Sequence, residues 1–235
     1  MRHRKAIALV TAGLVLNLAS VLFAQDEDYQ KDSAEGLPGD YANQYLIAKS
    51  TMSPDEKFAV IYPTTDFSES KEAKDLFVAL KPFKVLATLP TAELYYERKS
   101  YGAPGADWSE DGRVALITFD GKWGPTDVFL IEVADGELKR TTNLVEKMRE
   151  LLRPSFRATK PKPPAYNDAY EFVFLEEEGG PCQFAEDGQV RIYVRATNDP
   201  KGGEKRRWKV LLDAKWNIAQ AKFTSHKITN ARAAD

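Results

Sequence analysis

The chain has 235 residues, of which 43% are hydrophobic, and a formal net charge of −2. This length and apolar content suit one domain with a substantial core, and the weakly acidic balance argues against nucleic acid or an anionic membrane surface as the main partner. The single cysteine, Cys182, excludes an internal disulfide, and two histidines are too few for a zinc site made of three histidines.

The first 24 residues have the pattern of a secretory signal peptide: a basic start, an apolar stretch from Ala6 to Phe23, and Ala24 as the small residue before the cleavage point. An uncleaved transmembrane anchor is the alternative. Cleavage removes three of the 33 basic residues and none of the 35 acidic ones, which leaves 30 basic residues and a net charge of −5. The sequence therefore predicts a periplasmic or extracellular protein that has no membrane segment after cleavage.

Three further regions follow the signal peptide. Residues 25–40 are acidic and poor in apolar side chains, which predicts a disordered, solvated leader. Residues 41–226 are predicted to form a single β-rich domain. Residues 227–235 are predicted to be a flexible tail.

Within the domain, a polar turn followed by an apolar strand recurs three times. The second copy is the clearest, because Ser109-Glu110-Asp111-Gly112 combines turn-forming side chains with a glycine that tolerates positive φ. The flanking copies are Ser53-Pro54-Asp55-Glu56 and Ala185-Glu186-Asp187-Gly188. Each copy leads into a strand and then further strands, which is typical of an antiparallel meander. The predicted strands are 45–48, 58–62, 75–80 and 84–89, then 114–119, 128–133 and 138–142, then 170–175, 190–194, 208–212 and 217–223.

This pattern resembles the TolB-type repeat of bacterial β-propellers over roughly residues 44–224, with gaps, although the third copy has Ala-Glu where the family has Ser-Pro. The resemblance implies a scaffold and no particular reaction. A closed propeller usually needs at least about four blades. A degenerate fourth sheet, closure by a second chain, and an open form covered by a helix all remain, and we favour the open form. An unrelated antiparallel sheet is the alternative fold. The predicted fold class is mainly β, with antiparallel meander units of partial or irregular β-propeller type and one amphipathic helix.

That helix is predicted over residues 143–153. Asn143 can cap it, and Leu144, Met148 and Leu152 share one face. Pro154 is predicted to end it. We expect the helix to cover the sheet rather than to dock a partner.

Exposed aromatic residues beside charges are the candidate binding site. Tyr95, Tyr96 and Tyr101 lie in a charged, glycine-containing segment, and Trp123 lies in a Gly-containing turn. Such side chains bind sugars or peptides, so the predicted partner is protein or carbohydrate. Packing of these tyrosines onto neighbouring strands is the alternative. Cys182 is predicted to be a buried filler rather than a reactive thiol.

Catalytic and metal motifs are not evident. His226 is the only histidine after cleavage, which disfavours a Ser-His-Asp triad. Asp107 begins an EF-hand-like pattern whose twelfth residue is Thr118 instead of glutamate. We therefore expect no cofactor, no metal and no catalytic residue, and a secreted or periplasmic non-enzymatic binding or scaffold protein of the bacterial envelope. The alternatives are a secreted carboxylate-based, glycosidase-like hydrolase and an oligomeric structural component, that is, a homo-oligomer.

Overall fold

The computed structural model describes residues 32–91, 104–175 and 177–231, all within one compact unit. This part of the chain is mainly β, with three antiparallel sheets and one main helix, as the sequence predicted. Among these residues, no helix combines the length and apolar character needed to cross a membrane.

In the first two sheets, neighbouring strands follow one another along the chain, and the third sheet departs from this order only at its first strand. The first sheet contains β1 (Tyr45–Ala48), β2 (Phe58–Pro63), β3 (Asp75–Leu80) and β4 (Phe83–Leu89). The second sheet contains β5 (Gly105–Trp108), β6 (Val114–Asp120), β7 (Pro125–Ala134) and β8 (Glu137–Asn143). The third contains β9 (Val173–Phe174), β10 (Cys182–Ala185), β11 (Gln189–Thr197), β12 (Lys209–Asn217) and β13 (Lys222–Asn230), with β9 and β10 both paired to β11. The helices are α1 (Tyr41–Gln44) and α2 (Leu144–Ala158), with short 3₁₀ turns at Lys49–Thr51 and Phe67–Glu69.

The turn between β5 and β6 is held by a side-chain network. Ser109 Oγ donates to Asp111 Oδ1 at 2.7 Å and accepts from the backbone N–H of Val114 at 2.9 Å. Gly112 takes a φ of 65°, a conformation that glycine adopts without steric cost. The pKa of Asp111 is lowered, and the hydrogen bond from Ser109 makes the largest contribution to this shift.

The turn between β1 and β2 repeats this network. Ser53 Oγ donates to Asp55 Oδ1 at 2.8 Å and accepts from the backbone N–H of Phe58 at 3.0 Å. Glu56 stands at the glycine position and takes a φ of 55°. The pKa of Asp55 is lowered, and a hydrogen bond with the side chain of Lys57 makes the largest contribution to this shift.

The third turn occupies the same place but is one residue shorter. Asp187 lies between β10 and β11, and Gly188 has a φ of 69°. However, Ala185 pairs with Gln189, which is four residues later in the chain. In the second sheet, the backbone N–H of the corresponding Ser109 donates to the carbonyl oxygen of Val114, which is five residues later. All three aspartates therefore lie between the first and second main strands of their sheets, and the serine network is present in two of them.

Replacing these serines tests the equivalence of the turns. We expect Ser53→Ala to lower the free energy of unfolding by about 2 kcal/mol, because it leaves the buried N–H of Phe58 without its acceptor, and Ser109→Ala by about 1 kcal/mol at its more exposed site. Ala185→Ser should change stability by less than about 0.5 kcal/mol, because the shorter turn does not reproduce the network. Chemical denaturation measures all three. A gain from Ala185→Ser equal to the loss from Ser109→Ala would contradict the assigned register.

The lowered pKa values also give a pH dependence. A carboxylate whose pKa is lower in the folded state stabilises the fold above its unfolded pKa, near the ordinary 3.8, and loses that contribution as the pH falls through its folded value. In Ser109→Ala, the pKa of Asp111 should move back toward 3.8. NMR titration of its carboxyl carbon measures this shift, and an unchanged pKa would show that the serine does not set it.

The three sheets stack through two apolar layers. Alternation along β6 sends Ala115 and Ile117 to one side and Leu116 to the other. The layer between the first and second sheets includes Phe58, Val60, Tyr62, Phe77, Ala115, Ile117, Phe119, Phe129 and Ile131. The layer between the second and third sheets includes Leu116, Val128, Leu130, Val190, Ile192, Val194, Val210, Leu212 and residues of α2.

The outermost faces differ. A third apolar cluster covers the outer side of the first sheet and includes Leu37, with Tyr41 and Phe67 packed against it. In the third sheet, β12 alternates between buried and exposed residues, as expected for a sheet with one solvated face. Within the described ranges, the second sheet therefore packs against the first sheet on one face and against the third sheet on the other.

Helix α2 begins where the sequence predicted and ends later. Asn143 Oδ1 accepts from the backbone N–H groups of Val145 and Glu146, at 3.0 and 3.3 Å. The prediction that Pro154 ends the helix is wrong, because the helix continues to Ala158. Phe156 is buried in the layer between the second and third sheets. Packing of this ring stabilises the turn that proline disfavours.

Two predicted boundaries also differ from the structure. Within the predicted leader, Asp32 accepts hydrogen bonds from the backbone N–H of Lys49 and the hydroxyl of Tyr62, and Leu37 is buried. The described residues from 32 to 40 therefore belong to the fold. Near the C-terminus, β13 extends to Asn230, into the predicted tail, because its backbone pairs with β12 although its side chains are mostly polar. The predicted signal peptide, residues 1–24, lies outside the described residues.

Candidate ligand-binding cavity

The predicted aromatic site falls largely outside the described residues. Tyr95, Tyr96 and Tyr101 belong to residues 92–103, which the structure does not describe. The chain is described again from Pro104, whose carbonyl oxygen accepts a hydrogen bond from Ser50 Oγ. The structure therefore places only Trp123 of the four predicted residues.

Trp123 occupies the turn between β6 and β7 and is half-buried. Its indole Nε1 donates to the hydroxyl oxygen of Tyr166 at 2.8 Å, and Lys122 Nζ lies 5.3 Å from the ring centroid. Tyr166 belongs to the segment that follows α2. The tryptophan therefore joins this segment to the second sheet, and it does not line the cavity described next.

An open cavity of about 750 Å³ lies between the second sheet and the segment 177–182. One wall is formed by β5 and β6, and the other by the residues that lead into β10. Gly105, the second described residue after the tyrosine segment, lines the cavity, and so does Ser50, which is hydrogen-bonded to Pro104. A cavity of this volume falls in the range of sites that hold small molecules or peptide side chains.

Four carboxylates line this cavity. Asp107 and Asp120 come from β5 and β6, and Glu177 and Glu178 come from the opposite wall. Arg195 of β11 binds Glu177 in a two-point contact whose Nη2–Oε2 distance is 3.0 Å. This contact fixes the second wall, and Asp107, Asp120 and Glu178 are exposed. Carboxylates so placed can accept hydrogen bonds from sugar hydroxyls or from cationic groups.

Cys182 also lines the cavity, and it is buried in the layer between the second and third sheets. Burial raises the pKa of its thiol to about 12, so the group remains protonated at neutral pH. This environment disfavours the nucleophilic thiolate.

In the described ranges, no three His, Cys, Asp or Glu residues lie close enough together to bind a metal ion. His226 lies exposed on β13. The cavity offers carboxylate oxygens, backbone groups and some apolar side chains, such as Leu116.

Sequence reasoning did not find this cavity. Glu177 and Arg195 are 18 residues apart, and both are far in sequence from Asp107. The run Glu176-Glu177-Glu178-Gly179-Gly180 is typical of an exposed turn, and no residue near it in the sequence indicates which sheet it faces.

Comparison with known proteins adds no assignment, since no family model, curated protein or solved structure matches this chain.

Proposed function

We propose that the protein is exported to the periplasm or the extracellular space and acts there as a non-enzymatic binding or scaffold protein of the bacterial envelope. The observation that carries this proposal is the open, carboxylate-lined cavity between the second sheet and the segment 177–182. Its ligand is a protein or carbohydrate that presents hydroxyl or cationic groups to Asp107, Glu178 and their neighbours.

The repeated construction supports a propeller-like scaffold. Each of the three sheets has its aspartate turn before its second main strand, and each packs face to face on the next. Propeller blades pack in the same manner around a channel. We therefore propose that the chain is built from propeller-like units in an open arrangement.

Carboxylate-based hydrolysis is the second candidate, and the four acids of the cavity favour it. A glycosidase needs one carboxyl group as acid and another as nucleophile or base. Under this alternative, Asp107→Asn or Asp120→Asn would abolish turnover of a polysaccharide. The binding proposal expects no turnover by the wild-type protein.

The experiment uses glycan and peptide arrays probed with the exported protein, in parallel with reducing-sugar release from the same glycans. We expect binding to at least one glycan or peptide class, lost in the double variant Asp107→Asn/Glu178→Gln. Asp213→Asn is the matched control, because it removes an exposed acid on the outer face of β12. Binding that survives the double variant would place the site elsewhere. Sugar release that Asp107→Asn or Asp120→Asn abolishes would establish the hydrolase instead.

A further inference from the structure

A second pocket, of about 340 Å³, lies between α2 and residues 169–172. Arg149, Arg153 and Arg157 line it at four-residue spacing, which places them along one face of the helix. Like charges at this spacing repel one another. Glu146 and Glu171 oppose them in the lining of this arginine pocket, and the buried carboxylate of Asp127 also interacts with Arg149.

Arg149 is built into the wall of the arginine pocket. It is only 7% exposed, and its guanidinium lies 4.4 Å from the ring centroid of Tyr170. Its Nη1 donates to the carbonyl oxygen of Phe172 at 3.1 Å. Its Nε is buried without a hydrogen bond, although Glu146 Oε1 lies 3.4 Å away. A buried guanidinium with an unsatisfied N–H is costly for the fold, which suggests a role beyond packing.

Arg153 and Arg157 share one internal carboxylate. Arg153 Nε lies 3.1 Å from Glu171 Oε2, and Arg157 Nε lies 2.9 Å from Glu171 Oε1. Among the described residues, the terminal amino groups of these two arginines make no hydrogen bond to protein. The two guanidinium groups therefore already bind one carboxylate, that of Glu171, and their terminal amino groups are left as donors for a second oxyanion.

We propose that the arginine pocket is a binding site for a phosphate-type oxyanion, held by the terminal amino groups of Arg153 and Arg157 beside Arg149. Guanidinium forks match phosphate and carboxylate oxygens in geometry, and a dianion is attracted more strongly than a monoanion to two adjacent guanidinium groups. Glu171 competes for the same two arginines and weakens the site in the free protein. The pocket shares no lining residue with the carboxylate-lined cavity, and its assignment does not depend on the proposed function.

The test is isothermal titration of the full exported chain with sodium phosphate, at constant ionic strength maintained with sodium chloride. A parallel arm uses sodium acetate as a carboxylate probe. We expect saturable phosphate binding in the millimolar range or tighter, with acetate weaker because it is a monoanion. Arg153→Lys/Arg157→Lys keeps the charge and removes the forks, and it should weaken phosphate binding about fivefold or more.

Two further variants distinguish a site from a surface ion-pair network. Glu171→Gln should tighten phosphate binding about three- to fivefold, because it removes the internal competitor. Arg191→Lys, on an exposed position of β11, should leave binding unchanged. Thermal unfolding of each variant confirms that it is folded. Absence of saturable binding, acetate binding tighter than phosphate, equal effects of Arg191→Lys and the double variant, or weaker binding in Glu171→Gln would each overturn the proposal.

Discussion

Replacing Phe156 with alanine is expected to lower the free energy of unfolding by about 3–5 kcal/mol. The ring is 1% exposed, and its centroid lies 5.6 Å from that of Phe172 and 5.2 Å from that of Trp208. Alanine would remove these contacts and leave a cavity in the layer between the second and third sheets. It would also weaken the end of the helix, because Pro154 has no backbone N–H to donate and the packing of Phe156 helps to hold this turn.

Chemical denaturation with two comparison variants measures this effect. Phe156→Leu retains much of the volume and should cost less than about 1.5 kcal/mol. Tyr193→Ala removes an aromatic ring that is 41% exposed, and it should change stability by less than about 0.5 kcal/mol. A loss below about 1 kcal/mol for Phe156→Ala would show that the helix end does not pack into this layer.

Replacing Asn143 with alanine is the second large effect, with an expected loss of about 2–4 kcal/mol. The side chain caps α2 by accepting from Val145 and Glu146, and its Nδ2 donates to Asp127 Oδ1 at 2.7 Å. Asp127 is 3% exposed, so the lost donor removes a hydrogen bond from a buried carboxylate. One residue thus joins the end of β8, the start of α2 and strand β7.

Serine and aspartate separate the two roles of Asn143. Asn143→Ser retains a capping oxygen and should lose less stability than alanine. Asn143→Asp retains the cap but places a second carboxylate beside Asp127, which raises the pKa of the pair in the folded state. Its deficit relative to serine should therefore shrink as the pH falls from neutrality into the acidic range. Equal stability of the serine and aspartate variants at pH 7 would contradict the contact with Asp127.

Local patterns predicted much of the fold because short-range chemistry determines it. Ser109 and Asp111 bond the backbone of their own turn, so the turn and the strand after it can be recognised without knowledge of distant contacts. Asn143 likewise caps the helix that begins at the next residue. The order of strands followed from these turns, because each short turn joins neighbouring antiparallel strands.

Long-range contacts explain what could not be predicted. Burial of Phe156 against Trp208 carries α2 past Pro154, and the two residues are 52 positions apart in the sequence. Strand β13 has no fully buried side chain, so its apolar pattern is weak, and its pairing with β12 is what identifies it as a strand. The cavity depends on where the segment 177–182 meets β5, and the arginine pocket depends on where Glu171 meets α2. Neither of these two long-range contacts can be inferred from the spacing of residues along the sequence.

Native-state hydrogen exchange tests most directly whether the three sheets form a single rigid platform. The amides to compare are those of Val60, Ile117 and Val194, which lie in β2, β6 and β11, each an interior strand of its sheet. Shared apolar layers predict that all three exchange only by global unfolding, with the same free energy of opening. An opening free energy for Val60 or Val194 that is lower than that of Ile117 by about 2 kcal/mol or more would show that an outer sheet unfolds independently, and would contradict the single platform.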